Sequence, residues 1–155
     1  MQTTLWEKQR EIVRDVFKHR HVAVKSCHSS GKTYVCARIV LAFFLLYPYC
    51  KIITTARSWK GVELQLWGEL AGAFRKLPEP MRLDLKLNTT ELYADKEWFA
   101  VGFSTKEGER FQGFHAAKML VLKDEASGIP QEIWEAADSL GAGGDVHYLD
   151  IAQPL

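Results

Sequence analysis

The sequence predicts an α/β domain with a mostly parallel central sheet flanked by helices. Three observations carry that expectation. Short β-rich runs at 22–24, 51–55 and 119–122 alternate with longer stretches of helical length, which is the pattern of strand–helix units. The run Met119-Leu120-Val121-Leu122 is continuously apolar, as in a strand covered on both faces. The chain has 155 residues, 47% hydrophobic and 25% charged, enough for one domain with a sizeable core and short for two.

Residues 5–18 set Leu5, Ile12, Val13, Val16 and Phe17 near helical spacing among charges, predicting an amphipathic opening helix. The stretch 21–26, centred on Val22-Ala23-Val24, predicts a strand. A small polar loop follows, then an apolar stretch, 33–47, that is too long for a strand and reads as a helix stopped by Pro48. Lys51-Ile52-Ile53-Thr54-Thr55 predicts the next strand, and Ser58 is placed to cap a helix over 59–77. Pro78 and Pro80 break the chain. Leu83-Asp84-Leu85-Lys86-Leu87 alternates strictly, 91–94 is short and polar, and 98–103 is apolar; all three predict strands, with Asn88-Thr89-Thr90 as a turn. Residues 106–114 are polar and glycine-bearing and predict a loop. A helix over 130–139 accepts Pro130 in its first turn, 141–144 reads as a turn, and 146–152 as a last short strand.

Composition narrows the function classes. Twenty Lys and Arg against nineteen Asp and Glu leave a net charge of +1, without the global positive field of a freestanding nucleic-acid-binding domain. Any DNA contact has to come from a local patch. Arg75, Lys76, Arg82 and Lys86 form one modest basic cluster, and the acidic residues interleaved with it favour a solvated charged face over a phosphate-binding one. Cys27, Cys36 and Cys50 are odd in number and lack metal-ligand spacing, which excludes a disulfide framework and fits a reducing compartment. The longest apolar run, 39–47, falls far short of the ~18–20 residues needed to cross a bilayer, and the first residues mix acids and bases, so neither a membrane segment nor a signal peptide is expected. Trp6, Trp59, Trp67, Trp98 and Trp134 fall within predicted elements and read as packing residues rather than base-stacking platforms.

Ser26-Cys27-His28-Ser29-Ser30-Gly31-Lys32-Thr33 has the spacing of a Walker A phosphate loop, with serine where the pattern begins on glycine. Small residues let successive backbone N–H groups turn inward on phosphate oxygens, and the following helix adds its N-terminal partial positive charge. Lys32 reaches the β- and γ-phosphates as a point charge, and the Thr33 hydroxyl ligates Mg²⁺. Lys25 either assists the phosphates from just outside the loop or is a strand-end lysine in solvent, while Cys27 and His28 read as small or polar members of the loop without chemistry of their own. The run 119–122 then delivers Asp124 and Glu125 where open α/β sheets place their ligands, the pattern of a Walker B strand. Asp124 is expected to hold Mg²⁺ and Glu125 to polarise the water that attacks the γ-phosphate of ATP. Lys123 stands at a usually apolar position and reads as the edge of the buried run.

Ser26 through Thr33, together with Glu109-Arg110-Phe111-Gln112-Gly113-Phe114-His115-Ala116 and Asp124-Glu125-Ala126-Ser127-Gly128-Ile129-Pro130, resemble the N-terminal ATPase domain of tailed-phage terminase large subunits over most of the chain. The resemblance implies a P-loop NTPase fold, RecA-like and of the additional-strand, catalytic-glutamate type, and an ATP-driven motor that threads double-stranded DNA into an empty capsid. It implies as partners DNA, a terminase small subunit, a portal protein and further copies of the chain in a ring, all in the host bacterial cytoplasm. The family's nuclease domain has no counterpart in 1–155, so one ATPase domain without DNA cleavage is expected. Gln9 resembles the adenine-reading glutamine ahead of the phosphate loop, against the alternative of an exposed helix residue. Arg110 resembles an arginine finger, acting on a neighbouring subunit or holding its own loop. The resemblance would put Gln153 at the γ-phosphate sensor position, where the sequence departs from the family's Gly-Asn-Pro or Ser/Thr signature. Two other functions fit the same residues: a helicase- or translocase-like RecA-fold ATPase, and a non-hydrolysing nucleotide-binding assembly module.

Overall fold

A computed structural model of the chain describes residues 5–26 and 31–152. Its centre is a seven-stranded sheet of order β1-β7-β6-β2-β5-β4-β3. The strands are β1 (His21–Lys25), β2 (Lys51–Ala56), β3 (Lys86–Leu87), β4 (Glu91–Asp95), β5 (Trp98–Phe103), β6 (Lys118–Asp124) and β7 (Asp145–Ala152). From β1 to β5 every pairing is parallel, and β4 and β3 extend that edge in antiparallel fashion. The last strand in sequence, β7, lies between β1 and β6, which is the additional-strand arrangement.

Burial follows this order. All of β2 and nearly all of β6 are buried, because each has strands on both sides and helices on both faces. The edge strand β1 alternates between exposed and half-buried positions. On one face, α1 (Glu7–Lys18), α2 (Lys32–Leu46) and α3 (Trp67–Arg75) cover Ile52, Leu120, Leu122, Leu149 and Ile151. On the other, α5 (Gln131–Ser139) and the 3₁₀ segment Thr105–Gly113 cover Ile53, Val101, Met119, Val121 and Tyr148. Helix α2 is apolar almost all round, buried from Val35 to Leu41 and again at Phe43 and Phe44, as a helix enclosed by sheet and neighbours must be. No helix among the described residues is long and apolar enough to cross a membrane.

Several elements depart from their sequence expectation. The helix expected over 59–77 starts with a π-helical segment, Gly61–Leu66, before α3; Ser58 does cap its start, its Oγ accepting the Gly61 N–H at 3.1 Å. The alternating run 83–87 is a strand only at Lys86 and Leu87, preceded by the helical turn α4 (Glu79–Arg82). Leu85 N–H donates to Arg82 O at 3.0 Å, so the chain is still turning where alternation suggested extension, and Leu83 is 69% exposed. The loop at 106–114 is ordered into 3₁₀ turns, begun by Ser104 N–H donating to Glu107 Oε2 at 3.0 Å. Among the tryptophans Trp67 packs as expected, its Nε1 donating to Thr54 Oγ1 at 2.9 Å, whereas Trp6 and Trp59 are 53% and 41% exposed. Arg75, Lys76 and Lys86 are exposed and Arg82 is half-buried.

Candidate nucleotide site

The site forms at the C-terminal ends of β1, β6 and β7. Ser26, just after β1, donates its N–H to Ala152 O at 3.0 Å, so the parallel ladder continues to the mouth of the phosphate loop. Cys27, His28, Ser29, Ser30 and Gln153 lie outside the described residues. Gly31 stands in the left-handed region at φ 75° and turns the chain directly into α2. No acidic side chain occupies the first turn of α2, so its N-terminal partial charge is not offset by its own residues.

Lys32 opens that helix. Its Nζ is buried without a hydrogen-bond partner among the described residues. A buried cation in that state is costly, and an anion placed against it removes the cost. Thr33 follows, half-buried. Across the sheet end, Asp124 is 3% exposed, and its Oδ1 accepts the Glu125 N–H at 2.8 Å. Burial pushes the Asp124 carboxyl above its ordinary value, with the Glu125 charge adding to the rise and the backbone hydrogen bond and Lys32 opposing it. Glu125 is half-buried and adopts φ 50°, ψ 45°, a left-handed conformation that costs a non-glycine residue of order 1–3 kcal/mol and persists only where surroundings impose it.

These residues suit a magnesium nucleotide. Among the described residues no group of three or more His, Cys, Asp or Glu forms a metal centre of its own. A hydroxyl and one carboxylate are the hard oxygen donors that Mg²⁺ takes when phosphates supply further ligands.

Gln9 is 5% exposed and therefore is not the solvent-facing helix residue of the alternative reading. Its Nε2 donates to Gly31 O at 3.2 Å and its Oε1 accepts the Trp6 N–H at 3.2 Å, bracing the phosphate-loop glycine from α1. Trp6, Gln9, Lys25, Ser26 and Lys32 line a cleft of about 440 Å³ between α1, β1 and α2. Arg110 lies elsewhere, on the β5 side. Its guanidinium sits 4.3 Å from the Phe103 ring centroid and its Nη1 donates to Glu107 Oε1 at 3.2 Å.

Lys123 corrects the sequence expectation outright. It does not mark an edge: it is fully buried, with Nζ 2.9 Å from Asp150 Oδ1 on β7. The only trace of this in the sequence was a lysine inside an apolar run; its acidic partner lies on a strand whose neighbour is set by topology.

A mostly parallel sheet flanked by helices, with β7 inserted between β1 and β6, is a RecA-like P-loop fold of the additional-strand kind. No family model matches the sequence. The chain is 23% identical over 160 residues to the probable terminase large subunit of Enterobacteria phage P7, covering 98% of this chain and 32% of that protein. It thus spans about a third of the length of that curated relative. The HK97 bacteriophage large terminase superposes with a TM-score of 0.76 at 15% identity, over 97% of this chain and 33% of the other. The Thermus phage P74-26 large terminase ATPase domain gives 0.70 at 18% identity, over 93% and 64%. The large terminase of another thermophilic bacteriophage, solved in complex with ADP, gives 0.68 at 13% identity, over 94% and 38%. The chain thus shares the fold of phage large-terminase ATPase domains and resembles one large subunit in sequence over nearly its whole length.

Proposed function

We propose that this chain binds and hydrolyses ATP as the motor domain of a phage terminase large subunit, powering the packaging of double-stranded DNA into a procapsid in the host cytoplasm. The Lys32 ammonium, buried without a hydrogen-bond partner among the described residues and close enough to Asp124 to bear on its charge, carries this reading. Lys32 neutralises the β- and γ-phosphates, and Thr33 and Asp124 hold Mg²⁺. When bound, the metal supplies charge neutralisation at the phosphates. Glu125 holds the attacking water and takes its proton. Its Oε1 lies at the start of the π-helical segment that follows β2, within 3.8 Å of the place a Gly61 Cβ would occupy.

Arg110, half-exposed on the β5 flank, suits action on a neighbouring copy better than on its own phosphate loop. That arrangement agrees with a ring assembled on a portal and loaded by a small subunit. The thermophilic-phage large terminase solved with ADP has also been solved with ATP-gamma-S, which supports ATP as the ligand here.

Calorimetry of Mg-ATP binding to the wild type beside Lys32→Ala tests the site. The substitution is expected to weaken binding more than tenfold without loss of folding, because it removes a cation that has no partner among the described residues. Glu125→Gln should bind normally and lose at least a hundredfold in turnover. Unchanged affinity in Lys32→Ala would overturn the assignment, and saturable binding without any turnover, alone or with DNA and portal, would favour the assembly module.

A further inference from the structure

Lys123 is the residue that the nucleotide site leaves unexplained. It precedes Asp124 on β6 and is paired in register with Asp150 of β7. Its side chain points to the α5 face, opposite the phosphate loop, where its ammonium lies 2.9 Å from Asp150 Oδ1, 4.3 Å from the Trp134 ring centroid and 5.2 Å from that of Tyr148. The Lys123 side chain is 1% exposed and that of Asp150 19%. Neither Lys123 Nζ nor Asp150 Oδ1 makes a well-directed hydrogen bond among the described residues.

Such a pair is a poor source of stability, since apolar residues of the same volume usually serve a buried position as well or better. Its value lies in where it is tied. Lys123 immediately precedes the turn that carries Asp124 and the strained Glu125, and Trp134 belongs to α5, the helix that follows that turn. One ammonium therefore holds the strand entering the turn, the helix leaving it and the neighbouring strand β7. Two residues beyond Asp150, at the C-terminal end of β7, Ala152 in turn accepts the Ser26 N–H at the mouth of the phosphate loop.

We propose that Lys123, anchored by Asp150 and Trp134, is a positioning residue that keeps Asp124 and Glu125 aimed at the nucleotide. It touches no substrate itself and acts through the geometry of the turn. The inference rests on the assignment of Asp124 and Glu125 made above.

The test compares Lys123→Met, which keeps the length and apolar stem, with Lys123→Arg, which keeps the charge. Lys123→Met leaves the buried Asp150 Oδ1 without its ammonium, so a lowered urea midpoint is expected, limited by the 19% exposure of the Asp150 side chain. Amide hydrogen exchange from Glu125 to Gly128 should accelerate at least tenfold in Lys123→Met. Its kcat should fall at least tenfold while KM and Mg-ATP affinity stay within threefold. Lys123→Arg should restore most of both. A Lys123→Met protein with wild-type exchange in this turn overturns the proposal, as does one whose exchange accelerates equally across the whole sheet. Should Lys123→Met fail to fold, Asp150→Asn, which removes the anchoring charge at a partly exposed position, is read in the same way. If the wild type neither binds nor hydrolyses ATP, the nucleotide assignment fails, and the exchange comparison still decides whether Lys123 holds the turn.

Discussion

Gly31→Ala tests how α1 and the phosphate loop are joined. At φ 75° an alanine adopts the left-handed conformation at a cost of about 1–2 kcal/mol. Its Cβ would also overlap Gln9 Nε2, so the Gln9 amide must move and give up its 3.2 Å bond to Gly31 O, worth about 1 kcal/mol. The narrower unfolded ensemble of alanine returns about 0.4–1 kcal/mol. The net loss is about 2 kcal/mol, read as a lower urea midpoint at unchanged slope. In a Gln9→Ala background there is nothing to displace, and the same substitution should cost about 1 kcal/mol less, well beyond the ~0.5 kcal/mol within which independent sites add. Equal costs in the two backgrounds would refute the bracing role of Gln9, and a cost below about 0.5 kcal/mol in the wild type would refute the backbone argument as well.

Two further substitutions separate stability from function. Asp124→Asn removes a carboxylate that burial disfavours while leaving an oxygen to accept the Glu125 N–H, so the thermal midpoint should hold or rise as Mg-ATP turnover is lost; a fall in the midpoint would contradict the desolvation argument. At the opposite end of the sheet, the Lys118 ammonium, 2.6 Å from Asp145 Oδ2, holds the Asp145 carboxyl below its ordinary value of 3.8. Because the folded form binds its proton more weakly than the unfolded chain, this contribution is complete above the ordinary carboxylate range and lost as pH falls through the lowered value. Lys118→Met should therefore flatten the acid limb of a stability-versus-pH curve and, the pair being partly exposed, cost no more than about 1 kcal/mol at neutral pH. An unchanged acid limb would count against the pairing.

Much of the fold was legible in the order of residues, because its signals are local. Continuous apolar runs report strands covered on both faces, and that is where β2 and β6 lie. A helix-length apolar stretch behind Gly31-Lys32-Thr33 reports the enclosed α2, and the carboxylates after 119–122 fall where β6 ends and passes into the turn at Glu125. The resemblance to terminases rested on such contiguous motifs and agrees with the relatives found in sequence and fold. Local pattern failed where its meaning depended on a neighbour. Leu83-Asp84-Leu85 alternates but has no strand to pair with among the described residues, and hydrogen bonds to Glu79 and Arg82 keep it turning.

The sequence alone determined the class of domain, and the expectation of a phosphate loop and an acidic pair came from contiguous residues that carry their chemistry in residue type. Only the tertiary structure decided that β7 inserts between β1 and β6, that Gln9 reaches 22 residues forward to brace Gly31, and that Lys123 is buried against Asp150. It also set Arg110 on the β5 flank and forced Glu125 into a left-handed turn. Each of these depends on which strand lies beside which. That choice is made by the summed packing of two helical layers on a twisted sheet, which no short window of sequence contains.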